Sequence, residues 1–311
     1  MKKLLSIALI VLIGSIVMAD GLSVSIENDI FLGSDNNYSH ATEIKWNMSH
    51  GTNEVFLTSI GLRQFFYTPD NIALGNTIQP YERDYCGVAE GFYQMWRKET
   101  VLGDPEYVMY ELDFGVLGPM ALGAQTQSYA HRIIPGNIQP QGWDNQMPNE
   151  PILNGYMERH HNFIVTGDRK SWSVVTDGVY GGSLGTTWIN TFGGAEARLG
   201  YNIPDFVADN TFTMKAVNGN MEENHNFYSY VKFEAKEYAQ ARNSTLGDSL
   251  FQDHPYGRTL TPAFAETTVG LVIGYDKLSF CYLLTKRSDE YYGQAKPMDY
   301  GTLIINFGTT F

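Results

Sequence analysis

Apolar and polar residues alternate along many short stretches of this chain. In the segment 108–116, VMYELDFGV, apolar residues occupy every even position and the acids stand at odd positions. The segment 231–236, VKFEAK, repeats the pattern with its charges at even positions. A two-residue period is typical of a β-strand with one apolar face. We therefore predict about twelve strands, near residues 21–29, 40–50, 54–66, 86–99, 106–117, 154–167, 171–182, 185–200, 225–237, 263–275, 278–287 and 301–311.

A soluble sandwich and a membrane barrel both contain strands of this kind. The barrel is favoured by the length of the strands, by an aromatic content of 14%, by a last strand that ends at Phe311 and by the export signal described below. We predict an all-β fold, a transmembrane antiparallel up-and-down β-barrel with short periplasmic turns and long outer loops. The link 201–224 departs from that rule, because it is long and falls on the periplasmic side.

The N-terminus predicts export. Lys2 and Lys3 precede the apolar run 4–17, and Ala19 ends it with a small residue. This pattern predicts a cleaved signal peptide over residues 1–19 and a single barrel domain over 20–311, located in a bacterial outer membrane. A transmembrane anchor is the alternative, but the apolar run is short for one.

The charge of the chain limits its partners. With 34 acidic and 21 basic residues, the formal net charge is −13, which argues against nucleic acid as a partner. Binding to anionic lipid would need local basic groups or a bridging divalent cation. Cys86 and Cys281 are too far apart in sequence to suggest a metal site, and two isolated thiols are favoured over a disulfide.

The first strand contains an unexpected amide. Leu22, Val24 and Ile26 share the lipid-facing phase, so parity also places Asn28 on the outside of the wall. An amide facing lipid is costly unless it is hydrogen-bonded. The simpler interpretation is that Asn28 and Asp29 lie above the hydrocarbon and begin a loop.

The third outer loop, residues 118–151, contains a segment that can form a short helix, ALGAQTQSYAHRI. Gln127 and His131 are four residues apart and would share one face of that helix. A single histidine in a loop is more often a surface residue than a catalyst. His131 becomes a catalytic candidate if Asn28 and Asp29 lie close to it.

Several motifs taken together resemble one family, the outer-membrane lipid A 3′-O-deacylases of the LpxR type. They are ENDIF at 27–31, DNNYSHA at 35–41, YTPDNI at 67–72, RDYCG at 83–87, and the GP…Q…HRI…GWDNQ…NEP loop at 118–151. The motifs follow the order of the family from the first strand to residue 151. The second half of the chain matches in strand pattern and supplies few motifs.

The resemblance implies a twelve-stranded monomeric barrel that uses Ca²⁺ to hydrolyse the ester of the 3′ acyl or acyloxyacyl chain of lipid A. It implies an active site on the outside of the wall, facing the outer leaflet. The family's catalytic residues fall on Asn28, Asp29, Ser39 and His131, and Asp29 is the expected calcium ligand. Gln127, Arg132 and Arg83 are the candidate substrate-binding residues.

Two departures from the family pattern concern this site. Ser39 replaces the usual threonine, and its inward phase means that a β-bulge is needed to bring it to the site. His40 stands in the lipid-facing phase and is an alternative to Ser39. No lysine occurs in 65–80, where some members have a basic residue, so Arg83 and Arg132 are the candidates for a phosphate contact.

The residue types suit ester hydrolysis by water. A neutral histidine can accept a proton from attacking water, Ca²⁺ prefers oxygen ligands such as Asp29, and the Asn28 amide can donate to an oxyanion. A phospholipase with Ser39 as nucleophile is one alternative. A passive porin, with an open lumen and incidental loop residues, is another.

Overall fold

The structure is a computed structural model. It describes residues 21–33, 37–49, 55–75, 79, 81–101, 104–134, 138–167, 171–203, 207–210, 215–218, 227–252, 257–275 and 278–308. The predicted signal peptide and the terminal Phe311 lie outside the described residues.

The described residues form strands over most of their length. The strands are β1 (Gly21–Asn28), β2 (Tyr38–Ser49), β3 (Val55–Tyr67), β4 (Cys86–Val101), β5 (Asp104–Leu117), β6 (Glu150–Gly167), β7 (Trp172–Gly185), β8 (Trp188–Tyr201), β9 (Val207–Asn210), β10 (Lys215–Asn218), β11 (Phe227–Asn243), β12 (Ala263–Tyr275), β13 (Leu278–Arg287) and β14 (Met298–Gly308). Within the described part of the chain, twelve of them close into an antiparallel barrel in the order β1-β14-β13-β12-β11-β8-β7-β6-β5-β4-β3-β2. The predicted fold class is confirmed.

The connections confirm the expected asymmetry. At one end of the barrel the links 50–54, 102–103, 168–171 and 276–277 are short. The links at the other end include 68–85, 118–149 and 244–262, and we call it the loop end. The exceptional link between β8 and β11 contains the strands β9 and β10, which pair as a hairpin in a sheet separate from the barrel.

The alternation of residues along each strand determines which side chains face the barrel interior and which face outward. In β1, Ser23, Ser25 and Glu27 are buried, whereas Ile26 is exposed on the outside. Successive strand residues point to opposite faces, and here the apolar phase is the outer one. That arrangement suits a barrel whose outer surface meets hydrocarbon.

The inner side of the wall carries paired charges. Arg63 lies 2.7 Å from Glu111 and 3.2 Å from Glu90, and the side chains of all three are almost fully buried. On the other side of the barrel, Lys232 contacts Glu196 at 2.9 Å. A buried charge without a partner costs several kcal/mol, so this pairing keeps the interior stable. Other polar side chains of the inner face, such as Glu43 and Gln94, are also almost fully buried.

Helical structure is sparse in the described residues. The α-helix α1 (Gly123–Ile133) lies in the loop 118–149 between β5 and β6, as predicted. Short 3-10 helices cover Asp29–Leu32, Pro119–Ala121, Trp143–Asn145 and Ser244–Leu246. Among the described residues, no helix is both long and apolar enough to cross a membrane. Cys86 and Cys281 are buried free thiols.

Candidate functional site

The first strand ends in a tight turn at the loop end, residues 28–33, which we call the rim turn. Asn28 caps its 3-10 helix: the Asn28 Oδ1 accepts from the Ile30 amide at 2.8 Å, and the Asn28 Nδ2 donates to the Ser39 carbonyl at 2.6 Å. Gly33 ends the helix at φ 69°, a backbone conformation that glycine adopts without strain. The outward amide of Asn28 is therefore hydrogen-bonded.

Asp29 is the second residue of the rim turn. Its side chain lies at the start of the 3-10 helix and is only 3% exposed. The turn rests on the last two strands, because the Phe31 side chain covers Gly301 of β14 and the Tyr282 hydroxyl of β13 donates to the Phe31 carbonyl at 3.1 Å. A Cβ at Gly301 would lie 2.6 Å from the Cβ of Phe31, so the close approach requires glycine.

The predicted β-bulge at Ser39 is present. Tyr38 pairs with Tyr67 and His40 with Phe66, which leaves Ser39 as the extra residue of β2. The Ser39 hydroxyl forms a hydrogen bond with the Thr68 hydroxyl at 2.5 Å. A bulge changes the phase of the strand, which is why Tyr38 points inward while His40 remains outside.

His40 belongs to the outer wall. Its Nε2 forms a hydrogen bond with the Thr42 hydroxyl at 2.7 Å, and its ring lies against Phe66 with centroids 5.4 Å apart. Glu27 pairs with Ala41, so Asn28 lies beside the Ser39–His40 bulge. On the next strands, His40 pairs with Phe66, and Phe66 pairs with Gly87.

These registers produce one row of outward-facing residues across the loop end of four strands: Asn28 of β1, His40 of β2, Phe66 of β3 and Gly87 of β4. Neighbouring strands are about 5 Å apart, so Asn28 and Phe66 are separated by roughly 10 Å. The loop 118–149 covers the β3–β4 side of this row, where Trp143 packs on Phe66 and Gly123 lies against Gly87.

Helix α1 is held against the wall by Gln64. The Gln64 Nε2 donates to the Ala121 carbonyl at 2.6 Å, and the Thr126 hydroxyl donates to the Gln64 Oε1 at 2.9 Å. The backbones approach closely where a Cβ at Gly87 would lie 3.3 Å from the Gly123 nitrogen. This contact explains why a glycine suits the last position of the RDYCG motif.

Trp143 fills the space between α1 and the wall. Its Nε1 donates to the Gln127 Oε1 at 2.7 Å, and its ring packs on Phe66 and Tyr85 with centroids 5.8 Å and 5.0 Å apart. Gln127 is 4% exposed. The structure therefore places Gln127 in the contact between helix and wall, where it positions α1 rather than facing open space.

His131 lies near the C-terminal end of α1 and is half-buried. Its Nδ1 is 2.6 Å from the Ile138 carbonyl, which can only accept, so Nδ1 carries the hydrogen. In the neutral ring the lone pair is then on Nε2. Arg132, the next residue, is exposed.

Arg83 lies away from this row, inside the loop end. It is 1% exposed, and its Nη2 lies 2.5 Å from the Glu290 Oε2. Its Nη1 donates to the Thr245 hydroxyl at 3.2 Å, and its guanidinium lies 4.0 Å from the centre of the Tyr67 ring. Burial acts to raise the pKa of Glu290, but the guanidinium groups of Arg83 and Arg287 outweigh burial and lower it. Arg83 therefore joins the loops to the barrel, and we do not include it in the candidate site.

Asp84 lies beside Arg83 in the same loop. Burial raises the pKa of its carboxyl to about 6, although Arg258 at 3.3 Å acts in the opposite direction. The contact joins the β3–β4 loop to the β11–β12 loop, so the loops at this end support one another.

The sequence analysis assigned no role to three residues of this arrangement: Gln64, which lies outside the motifs, and Thr68 and Gly87, which lie within them. A usable signal existed for Gln64, since it stands in the lipid-facing phase of β3 between Leu62 and Phe66, where a polar side chain needs a partner. Thr68 follows β3 in an ordinary loop position, and its contact with Ser39 depends on the bulge.

The rim turn contains Asp29, the calcium ligand that the family resemblance predicts. Within the described residues, no group of three or more His, Cys, Asp or Glu side chains could hold a metal ion. A calcium ion at the Asp29 carboxylate would therefore take its remaining ligands from amide, hydroxyl, carbonyl and water oxygens, which Ca²⁺ accepts. Asp35 and Asn36, the first two residues of the DNNYSHA motif, lie outside the described residues.

Fold and register together define a class of protein: an outer-membrane β-barrel with the polar residues Asn28 and His40 on the outside of its wall. The chain belongs to the family described as outer membrane protein LpxR, whose model matches residues 4–309. Comparison of the sequence with curated proteins gives no match.

Solved structures agree in fold. LpxR from Salmonella typhimurium aligns with a TM-score of 0.80 at 19% identity, over 93% of this chain and 99% of that one. The KdgM porin in complex with disordered oligogalacturonate covers 93% of this chain and 99% of its own, at 8% identity and a TM-score of 0.40. The beta domain of the Bordetella autotransporter BrkA covers 94% and 99%, at 8% identity and 0.45. The last two scores are too low to support an inference.

Proposed function

We propose that this protein is a Ca²⁺-dependent lipid A 3′-O-deacylase, a carboxylic ester hydrolase that acts in the outer leaflet of the outer membrane. Membership of the LpxR family supports lipid A as the substrate. The observation that carries the proposal is the outward row that begins at Asn28 and runs beneath the loop holding His131. A site on that side of the wall meets lipid directly.

The proposed roles follow from the hydrogen bonds. The His131 Nε2 accepts a proton from the attacking water, because the Ile138 carbonyl holds the hydrogen on Nδ1. The Asn28 Nδ2 has two hydrogens and gives one to the Ser39 carbonyl, so the other can be donated to the developing oxyanion. One such donor contributes about 3–4 kcal/mol to transition-state stabilisation in other hydrolases.

Asp29 would hold the calcium ion, with neutral oxygens and water completing its ligands. When bound, the ion supplies polarisation of the ester carbonyl and attraction to the phosphates of lipid A. Ser39 positions the site through its carbonyl, which fixes Asn28, and through its hydroxyl, which binds Thr68. Arg132 is exposed beside His131 and is our candidate for a phosphate contact.

The alternatives receive less support. A phospholipase with Ser39 as nucleophile would need a base at its hydroxyl, and that hydroxyl is paired with Thr68, while His40 is paired with Thr42. A porin needs an open, water-filled lumen, whereas the ion pairs of Arg63 and Lys232 on the inner side of the wall are almost fully buried.

The direct test is mass spectrometry of lipid A from cells that express the wild type, His131→Ala or Asn28→Ala. We expect the wild type to remove the 3′ chain and each variant to lose at least about 100-fold in rate. His161→Ala is the matched control, since His161 lies on β6 opposite Glu106 near the short-turn end and should leave activity unchanged.

Calcium is tested on purified protein in detergent micelles containing lipid A. Chelation should abolish hydrolysis, and Ca²⁺ should restore it where Mg²⁺ does not, because Mg²⁺ demands a tighter octahedral site. Wild-type protein that leaves lipid A intact at every calcium concentration would exclude the proposed activity.

A further inference from the structure

A groove of about 560 Å³ runs down the outer wall from the candidate site, between β2, β3, β4 and helix α1. The residues that decide its character are Thr42, Gln64, Thr126, Ile44, Leu62 and Phe114. We call it the wall groove. It faces away from the barrel interior, so in the membrane it lies open to the outer leaflet.

The wall groove changes from polar to apolar along the strands. Thr42 of β2 pairs with Gln64 of β3, and Thr126 of α1 is bonded to that glutamine. Two residues further toward the membrane centre, Ile44 pairs with Leu62. One such step along a strand is about 6.6 Å. The groove therefore has a polar mouth beside the candidate site and an apolar channel below it.

Small residues keep the channel open. Leu62 pairs with Gly91 of β4, and Gly91 pairs with Phe114 of β5. A Cβ at Gly91 would lie 2.9 Å from the Phe114 ring and 3.6 Å from the Leu62 Cδ2. Ala89 continues the floor at the level of Gln64. A larger residue in this floor would fill the groove.

We infer that the wall groove binds the acyl chain of the ester that is hydrolysed. Leu62 and Phe114 then set the length of chain that fits. This inference rests on the proposed function. The occupant is a lipid acyl chain because its ester end needs polar neighbours and its tail needs apolar ones, in the order that the groove offers them. The open side lets such a chain enter from the leaflet without crossing water.

The variant Leu62→Trp tests the inference by filling the channel. Leu62 is 49% exposed, and Leu271, on the outer face of β12 across the barrel, is 47% exposed, so Leu271→Trp is the matched control. Lipid A preparations with different 3′ chain lengths are used as substrates. We expect Leu62→Trp to lower the rate on the longest chains at least tenfold relative to the shortest, while Leu271→Trp keeps the wild-type profile. Identical profiles for the two variants, with active wild type, would overturn the inference and leave the proposed function standing.

A second measurement does not depend on turnover. Full-length wild-type protein in vesicles that contain a lipid A analogue with a diazirine in its acyl chains is irradiated, and the labelled peptides are identified. We expect β2–β5 peptides to be labelled at least fivefold more than β11–β13 peptides, and Leu62→Trp to remove the difference. Even labelling around the barrel would mean ordinary contact with bulk lipid and would refute the groove, whether or not the protein hydrolyses lipid A.

Discussion

The attachment of helix α1 to the wall through Gln64 leads to a quantitative prediction. Replacement of Gln64 by leucine keeps the size of the side chain and removes its bonds to the Ala121 carbonyl and the Thr126 hydroxyl, at 2.6 Å and 2.9 Å. Each bond contributes about 0.5–1.5 kcal/mol, so the docked helix should lose about 1–3 kcal/mol. That loss lowers the docking equilibrium about 5-fold to about 150-fold.

Hydrogen exchange measures this loss directly. The amides of α1 exchange when the helix leaves the wall, so their protection should fall by the same factor in Gln64→Leu, while the amides of the barrel strands remain protected. Deacylation should fall with it, because His131 lies on the displaced helix.

Gln240→Leu is the matched control. The Gln240 side chain also forms two hydrogen bonds, both donated by its Nε2, to the Thr261 and Glu290 carbonyls at 2.9 Å and 2.7 Å. These bonds connect other loops at the same end of the barrel. It should loosen those loops and leave α1 protected. Unchanged protection of α1 in Gln64→Leu would show that packing of Trp143 alone holds the helix, and the reasoning from Gln64 would be wrong.

Three further predictions concern single side chains. Arg83→Met leaves Glu290 buried with a weaker set of partners and should lower the free energy of unfolding by about 3 kcal/mol, measured by urea unfolding in lipid vesicles; an equally stable variant would contradict this role. The pKa of Asp84 is raised to about 6 in the folded state, so its contribution to the free energy of unfolding is complete below pH ~4 and is lost as the pH rises toward about 6. Asp84→Asn should remove this pH dependence of the free energy of unfolding, and an unchanged dependence would contradict the raised pKa of Asp84. Ser39→Ala keeps the carbonyl that holds Asn28, so lipid A hydrolysis should fall by less than about tenfold, in line with one neutral hydrogen bond to Thr68; complete loss of activity would instead favour Ser39 as a nucleophile.

Parity explains how much of this structure the sequence could predict. In a closed wall every residue points either inward or outward, so Leu22, Val24 and Ile26 determine the side on which Asn28 lies. The same rule predicted a β-bulge at Ser39, and the register of β2 and β3 confirms that the bulge is present. The strands and the position of α1 followed from local pattern in the same way.

Contacts between distant parts of the chain could not be predicted in this way. Arg83 and Glu290 are 207 residues apart in sequence, and nothing local shows that the arginine is buried. The pairing of β9 with β10 in the link 201–224 was likewise not predicted, because the sequence showed only that this link is long. Gln64 differs from these, because its lipid-facing phase was readable and only its partner was not.

The rim turn depends on both ends of the chain. Phe31 rests on Gly301, Tyr282 holds its carbonyl, and Asn28 pairs with Gly301 where the first strand meets the last. Until β14 has joined β1, the surface that supports Asn28 and Asp29 does not exist. The shape of this corner is therefore tied to closure of the barrel, because the residues that support it come from the first strand and from the last two.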